Sequence, residues 1–243
     1  MLALAAPLGA QVNVEPIRER LKESGRTLEL QGNLTVRSGN TDQLGFGAGA
    51  LFGLSRNMNL FYVSGSAAYS RTNHETDVEN AFLHARYNRM LVPRIAWEVF
   101  SQVESDRFRR VSFRGLAGSG PRFDVVDAEK LQLFYGVSYM LEVTERSAEV
   151  PPPDREQIRH RLNNYTTLNY NPDPRVALSE TVYCQPRFDQ PSDFWFLSVF
   201  TARFKVTTLL STELDFRVHR ESWAPPGVEP TDTVLLSSLD FSL

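Results

Sequence analysis

Leu131-Gln-Leu-Phe-Tyr-Gly-Val-Ser-Tyr-Met-Leu-Glu-Val143 decides the fold. Leu131, Leu133, Tyr135, Val137, Tyr139, Leu141 and Val143 share one parity, with Gln132, Gly136, Ser138 and Glu142 on the other. Successive side chains of a strand point to opposite faces, so this alternation describes a strand with one apolar and one polar face. No helical period competes with it. Strands in soluble sheets run about 5 to 6 residues, whereas a tilted strand crossing a bilayer needs about 9 to 11. A run of this length belongs with the second kind.

The same alternation recurs on both sides. Leu28, Leu30, Leu34 and Val36 alternate with Glu29, Gln31, Asn33, Thr35 and Arg37. Leu44, Phe46, Ala48, Ala50, Phe52 and Leu54 alternate with Gly45, Gly47, Gly49 and Gly53. Near the end, Leu210, Leu214, Phe216 and Val218 alternate with Ser211, Glu213, Asp215, Arg217 and His219. About twelve such segments start near residues 27, 43, 59, 78, 95, 111, 131, 157, 175, 194, 209 and 233. One set of connections is short: Ser55–Met58, Val92–Arg94, Asp127–Lys130, Asn171–Pro174 and Lys205–Thr208. The other set is longer: Ser38 to Asp42, Thr72 to Asp77, Ser147 to Glu156, Pro186 to Asp193 and Ser222 to Asp232, with a short turn around Arg109 as its exception. Short turns at one end and long loops at the other are the pattern of an all-β, transmembrane, antiparallel up-and-down β-barrel, the short turns being periplasmic. An even strand number brings both termini to the periplasmic side.

That reading assigns residues 26–243 to the barrel. Residues 11–25 form a periplasmic N-terminal segment, with a short helix, Ile17-Arg-Glu-Arg-Leu-Lys-Glu-Ser24, between Pro16 and Gly25. Residues 1–10 read as part of a secretory signal peptide cleaved near Ala10. The longest apolar run, Leu2 to Ala10, falls short of the roughly 18 residues of a membrane-spanning helix. A formal net charge of −3 lacks the concentrated basic face that nucleic acid requires. The single cysteine, Cys184, permits no intramolecular disulfide and reads as a small apolar strand residue.

Alternation alone does not say which face meets lipid. The polar parity carries Arg86, then Glu98, Glu104 and Asp106 on one strand, Arg114 and Arg122 on the next, and Glu213, Asp215 and Arg217 near the end. On the apolar parity Tyr87 lies just before the Val92 turn and Trp97 just after it, placed as an interfacial aromatic girdle would be. The last segment sets Leu235, Leu239, Phe241 and Leu243 on one face. The apolar parity therefore faces lipid. Arg86, Glu98, Glu104, Arg114, Glu213, Asp215 and Arg217 become lumen residues, whose interleaved signs favour pairing and a largely occluded interior over a one-sign filter. For the hairpin at Val92-Pro93 the expected register opposes Arg86 to Glu98 and Tyr87 to Trp97; the neighbouring register of the same parity would oppose Asn88 to Glu98 and Arg86 to Phe100.

Chemistry-bearing motifs are few. Gly45-Phe-Gly-Ala-Gly49 lacks the Lys-Ser/Thr of a phosphate loop, and its glycines read as lumen positions that make room for bulky neighbours. His74, His84, His160 and His219 form no HExxH or Cys–His pattern, so no metal ligand is assigned. Residues two beyond them are Thr76, Arg86, Leu162 and Glu221, so the His-x-Ser pairing of barrel lipases and deacylases is missing. Asp215 with His219 is the nearest carboxylate–histidine pair and reads as a structural lumen pair. No catalytic residue, cofactor site or metal site is expected.

Six stretches in order carry a family likeness: Ser38-Gly-Asn-Thr-Asp42, Asn80-Ala-Phe-Leu-His-Ala-Arg-Tyr-Asn-Arg89, Glu98-Val-Phe-Ser-Gln102, Asp106-Arg-Phe-Arg-Arg110, Tyr183-Cys-Gln-Pro186, and Pro225-Pro226 with Asp232-Thr233. From Gly32 to the C-terminus the chain resembles a family of salt-induced outer-membrane proteins, a domain otherwise of unknown function. The resemblance implies an outer-membrane barrel and supplies no catalytic or ligand residues. The expected role is non-enzymatic: envelope structure or stress adaptation, with a narrow channel included. A solute-selective porin, a lipid-modifying hydrolase and a soluble β-barrel binding protein are the alternatives. The expected partners are outer-membrane lipids and the barrel-assembly machinery.

Overall fold

The computed structural model describes residues 25–39, 41–207 and 209–241. The signal peptide and the helix expected before Gly25, and the final Leu243, lie outside the described residues. Twelve strands follow one another: β1 Arg26–Arg37, β2 Gln43–Arg56, β3 Asn59–Thr72, β4 Glu75–Val92, β5 Ile95–Asp106, β6 Val111–Ala128, β7 Leu131–Arg146, β8 Glu156–Asp173, β9 Val176–Pro186, β10 Phe194–Lys205, β11 Leu210–Glu221 and β12 Thr231–Phe241. They form one sheet whose spatial order is the chain order. Each ladder is antiparallel.

The strand starts lie within three residues of those read from the sequence, and the largest difference has a local cause. The Thr72–Asp77 connection is a tight hairpin, because Asn73 and His74 adopt φ of 49° and 73° and let Thr72 pair with Glu75. Two consecutive residues at positive φ form the turn whose twist matches that of the flanking strands.

Side-chain parity follows the sequence pattern, turned inside out relative to a soluble protein. Leu83, Tyr87, Trp97, Val99, Val103, Tyr135, Tyr139 and Val143 are exposed on the outer face. His84, Arg86, Glu98, Gln102, Arg114, Glu142, Arg159 and Arg161 are buried on the inner one. Glu180 on β9 is a carboxylate of outer parity, and it accepts a hydrogen bond from Ser198 Oγ at 2.7 Å. The glycines of β2 lie on inner parity; a Cβ at Gly47 would come 2.3 Å from Asn33 Oδ1, so this part of the wall uses glycine to admit its neighbour's side chain.

The expected register of the β4–β5 hairpin is corrected. Asn88 pairs with Glu98, Arg86 with Phe100 and Arg89 with Trp97, two residues away from the pairing read from the sequence. Pro93 and Arg94 occupy the turn, Arg94 takes a left-handed φ of 71°, and the ladder carries a bulge between Met90 and Val92. A turn followed by a bulge inserts a residue on one strand and re-registers all that follows. The parity of the faces survives, as the pleat requires. Arg86 still reaches Glu98 on a diagonal, Nη1 to Oε2 at 3.4 Å.

The sheet curls until its inner face meets itself. Tyr165 Oη on β8 donates to Glu98 Oε2 on β5 at 2.7 Å. The Arg114 guanidinium on β6 lies 3.6 Å from the centre of the Trp195 ring on β10. Arg146 on β7 pairs with Glu221 on β11. Apolar contacts fill the remaining space, with Phe100, Leu116 and Met140 in one cluster and Tyr165, Tyr183, Leu197 and Val199 in another. Among the described residues no ladder joins β1 to β12, so the sheet is not closed. The two edges show it in their outward leucines: Leu30 is 73% and Leu239 69% exposed, against 46% for Val99 in the middle of the sheet.

Candidate functional site

The site is the interior of the curled sheet. At the end where the long loops gather, β6, β7 and β8 present Arg114, Glu142, Arg159 and Arg161 inward because these residues share the polar parity of their strands. Glu142 is the hub. It accepts from Arg161 Nε at 2.7 Å, Arg114 Nη2 at 3.1 Å, Arg159 Nη1 at 3.2 Å and Thr144 Oγ1 at 3.1 Å. Arg114 reaches on to Glu104 at 3.0 Å, and Gln102 donates to the other oxygen of Glu104 at 3.1 Å.

Loops complete this network. Asp193, just before β10, is buried and takes Arg161 Nη2 at 3.0 Å, Arg159 Nε at 3.5 Å and Arg187 Nη1 at 3.1 Å. Arg187 also grips Asp189 through two nitrogens, and those hydrogen bonds hold the Asp189 carboxyl below its usual range. Arg109, in the turn between β5 and β6, bends back into the lumen. Asp106 Oδ1 caps the backbone N–H groups of Phe108 and Arg109, fixing that turn. The Arg109 guanidinium then lies 3.4 Å from Glu221 and 3.5 Å from His219 Nε2, with the Trp195 ring 5.0 Å away. Trp223, in the β11–β12 loop, lies against Arg146 at 5.0 Å and Arg159 at 5.9 Å.

Deeper in, Arg86 sits against the rings of Phe100 at 5.0 Å and Tyr165 at 5.8 Å, and His84 stacks among Tyr62, Phe82 and Phe100. Towards the short turns, Arg122 pairs with Asp124 at 2.6 Å and faces Phe134. The β1–β4 side differs in character. A cavity of about 180 Å³ there is lined by uncharged polar residues such as Asn33, Gln43, Ser70 and Asn80, by glycine and alanine, and by Phe46, Tyr69 and Val78.

Of the residues assigned to the lumen from sequence, Arg86, Glu98, Glu104 and Arg114 lie in this buried system, though in two separate groups. Glu213, Asp215 and Arg217 face inward on β11 and are only half-buried; Arg217 pairs with Asp215, and Glu213 with Arg203. Asp215 and His219 do not meet, since four residues along a strand span roughly 13 Å and each is engaged by a different arginine. His160 is on the outer face, hydrogen-bonded to Tyr139 Oη at 2.5 Å. Among the described residues no three His, Cys, Asp or Glu side chains gather as a metal site would need.

Arg109, Glu142, Arg146, Arg159, Arg161, Asp193, Glu221, Trp195 and Trp223 were not singled out from sequence. Parity carried a signal for those on strands, Glu142 and the alternating Arg159-His-Arg161 among them. Arg109, Asp193 and Trp223 are on turns and loops, which have no period to betray their direction.

The family model described as "Protein of unknown function, DUF481" matches residues 33–242. No curated protein matches the chain. Among solved structures, a NanC porin shares 8% identity over 89% of this chain and 99% of its own, with a TM-score of 0.49. A structure from work on the in-meso crystallization of membrane proteins shares 12% identity over 89% of this chain and 82% of its own, with a TM-score of 0.39.

Proposed function

We propose, for a chain that belongs to the DUF481 family of unknown function, the role of a non-enzymatic outer-membrane β-barrel that serves envelope structure or stress adaptation and conducts, at most, through a narrow path. The observation that carries this reading is the inverted distribution of polarity. Charged side chains are buried inside while leucine, valine and aromatic side chains cover the outside. Such an outer belt is stable only against another apolar phase, and the strands, 11 to 18 residues long, are long enough to cross one. Lipid of the outer membrane is the partner for that belt, and the barrel-assembly machinery is the agent that inserts it.

The lumen supports a narrow conduit rather than an open pore. Arginines and carboxylates cross it at the long-loop end, and a cavity with no charged residue in its lining lies along β1–β4. Fractionation of cells should place the protein in the outer membrane, and the unboiled protein should migrate differently on a gel from the boiled one. Recovery from the soluble periplasm would end the membrane reading. In planar bilayers the refolded protein should give small unitary currents. Conductance on the scale of a wide general porin would overturn the occluded lumen, and release of fatty acid from phospholipid would overturn the non-enzymatic role.

A further inference from the structure

At the long-loop mouth the chain buries more guanidinium than carboxylate. Arg109, Arg114, Arg146, Arg159 and Arg161 are buried there, and the carboxylates they reach are Glu104, Glu142, Asp193 and Glu221. Asp193 is further shared with Arg187. Arg114 and Arg159 each leave Nε without a hydrogen bond, and the unmatched donors are most numerous on Arg146, which is 1% exposed: its Nη2 is held by Glu221, while Nε and Nη1 have no hydrogen-bond partner among the described residues. Trp195, against Arg109 and Arg114, likewise has an Nε1–H without a partner among the described residues. A buried cation short of counter-charge is strongly unfavourable, and an arginine with free N–H groups is built to receive the oxygens of a carboxylate or phosphate.

We propose that Arg146, flanked by Arg109 and Arg159 beneath Trp223, is a binding site for the carboxylate or phosphate group of a small soluble solute. Arg146 is the last residue of β7 and Glu221 the last of β11, so the site lies at the mouth. Its inward parity directs it to a solute in the lumen and away from a lipid headgroup. Trp223 belongs to the loop over the mouth and forms the roof, so entry runs past that loop. Glu221 is the resident competitor, occupying one nitrogen of Arg146 and one of Arg109. This inference rests on the barrel reading, which sets the long-loop end in contact with the outside medium.

The test uses the full chain refolded in detergent with Trp97→Phe, which leaves Trp195 and Trp223 as the only indoles. Acetate and inorganic phosphate are titrated separately against chloride at constant ionic strength, and tryptophan fluorescence is read. A saturable change is expected with at least one of them. Arg146→Gln should weaken it by roughly tenfold or more, the scale of one charge-assisted hydrogen bond. Glu221→Gln should tighten it, because it removes the competing charge. Arg203→Gln, at the other end, should leave it unchanged. The proposal is overturned by the lack of a saturable change in folded protein, by an unaltered titration in Arg146→Gln, or by weaker binding in Glu221→Gln. A gel of the same samples, boiled and unboiled, separates the two levels: a wild type without a folded band counts against the barrel itself. If Arg146→Gln does not fold, the direction of change in Glu221→Gln decides.

Discussion

Glu142→Ala is expected to lower folding stability by about 3–5 kcal/mol, the usual cost of removing one partner from a buried ion pair. Glu142 is fully buried and answers three guanidinium groups on two neighbouring strands. Without it Arg114 keeps Glu104, and Arg161 keeps Asp193. Arg159 is left with Asp193 at 3.5 Å, already shared with two other arginines. Positive charge then faces positive charge in a space walled by protein. Glu142→Gln preserves the volume and one acceptor, and should fall between wild type and Glu142→Ala. The half-exposed pair Arg203–Glu213 offers the contrast, because solvent screening limits such a pair to about 0–1 kcal/mol. Denaturant midpoints of the refolded protein, followed by tryptophan fluorescence, measure all three. A Glu142→Ala midpoint equal to that of Arg203→Ala would show that water entering the lumen replaces the carboxylate, and the plug would lose its structural standing.

Gly120→Ala should prevent the folded, gel-shifted form from accumulating. A Cβ at Gly120 would lie 2.1 Å from the carbonyl oxygen of Val137 and 2.5 Å from the Ser138 Cα, both backbone atoms of β7. The β6–β7 ladder pairs Ser119 with Tyr139 and resumes at Arg122 with Gly136, passing over Gly120 and Pro121. Proline has no N–H to give the ladder, and the two backbones close on each other beside it. Relief requires β6 and β7 to part, which would also strain Arg122 and Glu142 on either side. Gly45→Ala is the control: its Cβ would find Ser70 at ordinary contact distance, 3.4–3.5 Å. With less unfolded-chain freedom to lose, that variant should be neutral or more stable by up to about 1 kcal/mol. Equal folded fractions for the two variants would show that the close approach at Gly120 is relaxed at little cost.

How much of this was legible in the sequence divides along one line. Which face a strand residue takes depends on parity, and parity is written residue by residue: Leu131 to Val143 gives it directly, and Arg86, Glu98 and Arg114 follow. How two strands are set against each other depends on a few turn dihedrals. Arg94 at φ 71° and the bulge beside Met90 moved the β4–β5 register by two residues, and no pattern in the flanking strands announces either. The candidate site is harder still, because its decisive members arrive from separate places. Asp193 and Trp223 come from loops, Arg109 from a turn that folds inward, and their partners lie far off along the chain. Charge balance at the mouth emerges only once those pieces are assembled.

The contacts across the lumen give the molecule its cooperativity. Each ladder joins strands adjacent in the chain, so hydrogen bonding alone makes the sheet a linear zipper, able to open from either end one strand at a time. Linear arrays of this kind couple only nearest neighbours, and their melting broadens as they lengthen. Tyr165 to Glu98, Arg146 to Glu221 and Arg109 to Glu221 act as rivets across 67, 75 and 112 residues of chain. Under a force applied at the C-terminus, β12 is held by its ladder to β11 and by side-chain hydrogen bonds from Thr212 and Arg220 of that same strand, whereas β11 is fastened through Glu221 to β7 and to the β5–β6 turn. The mechanical weak point and the mechanical anchor are therefore adjacent strands, and the anchor is the same carboxylate that occupies the mouth.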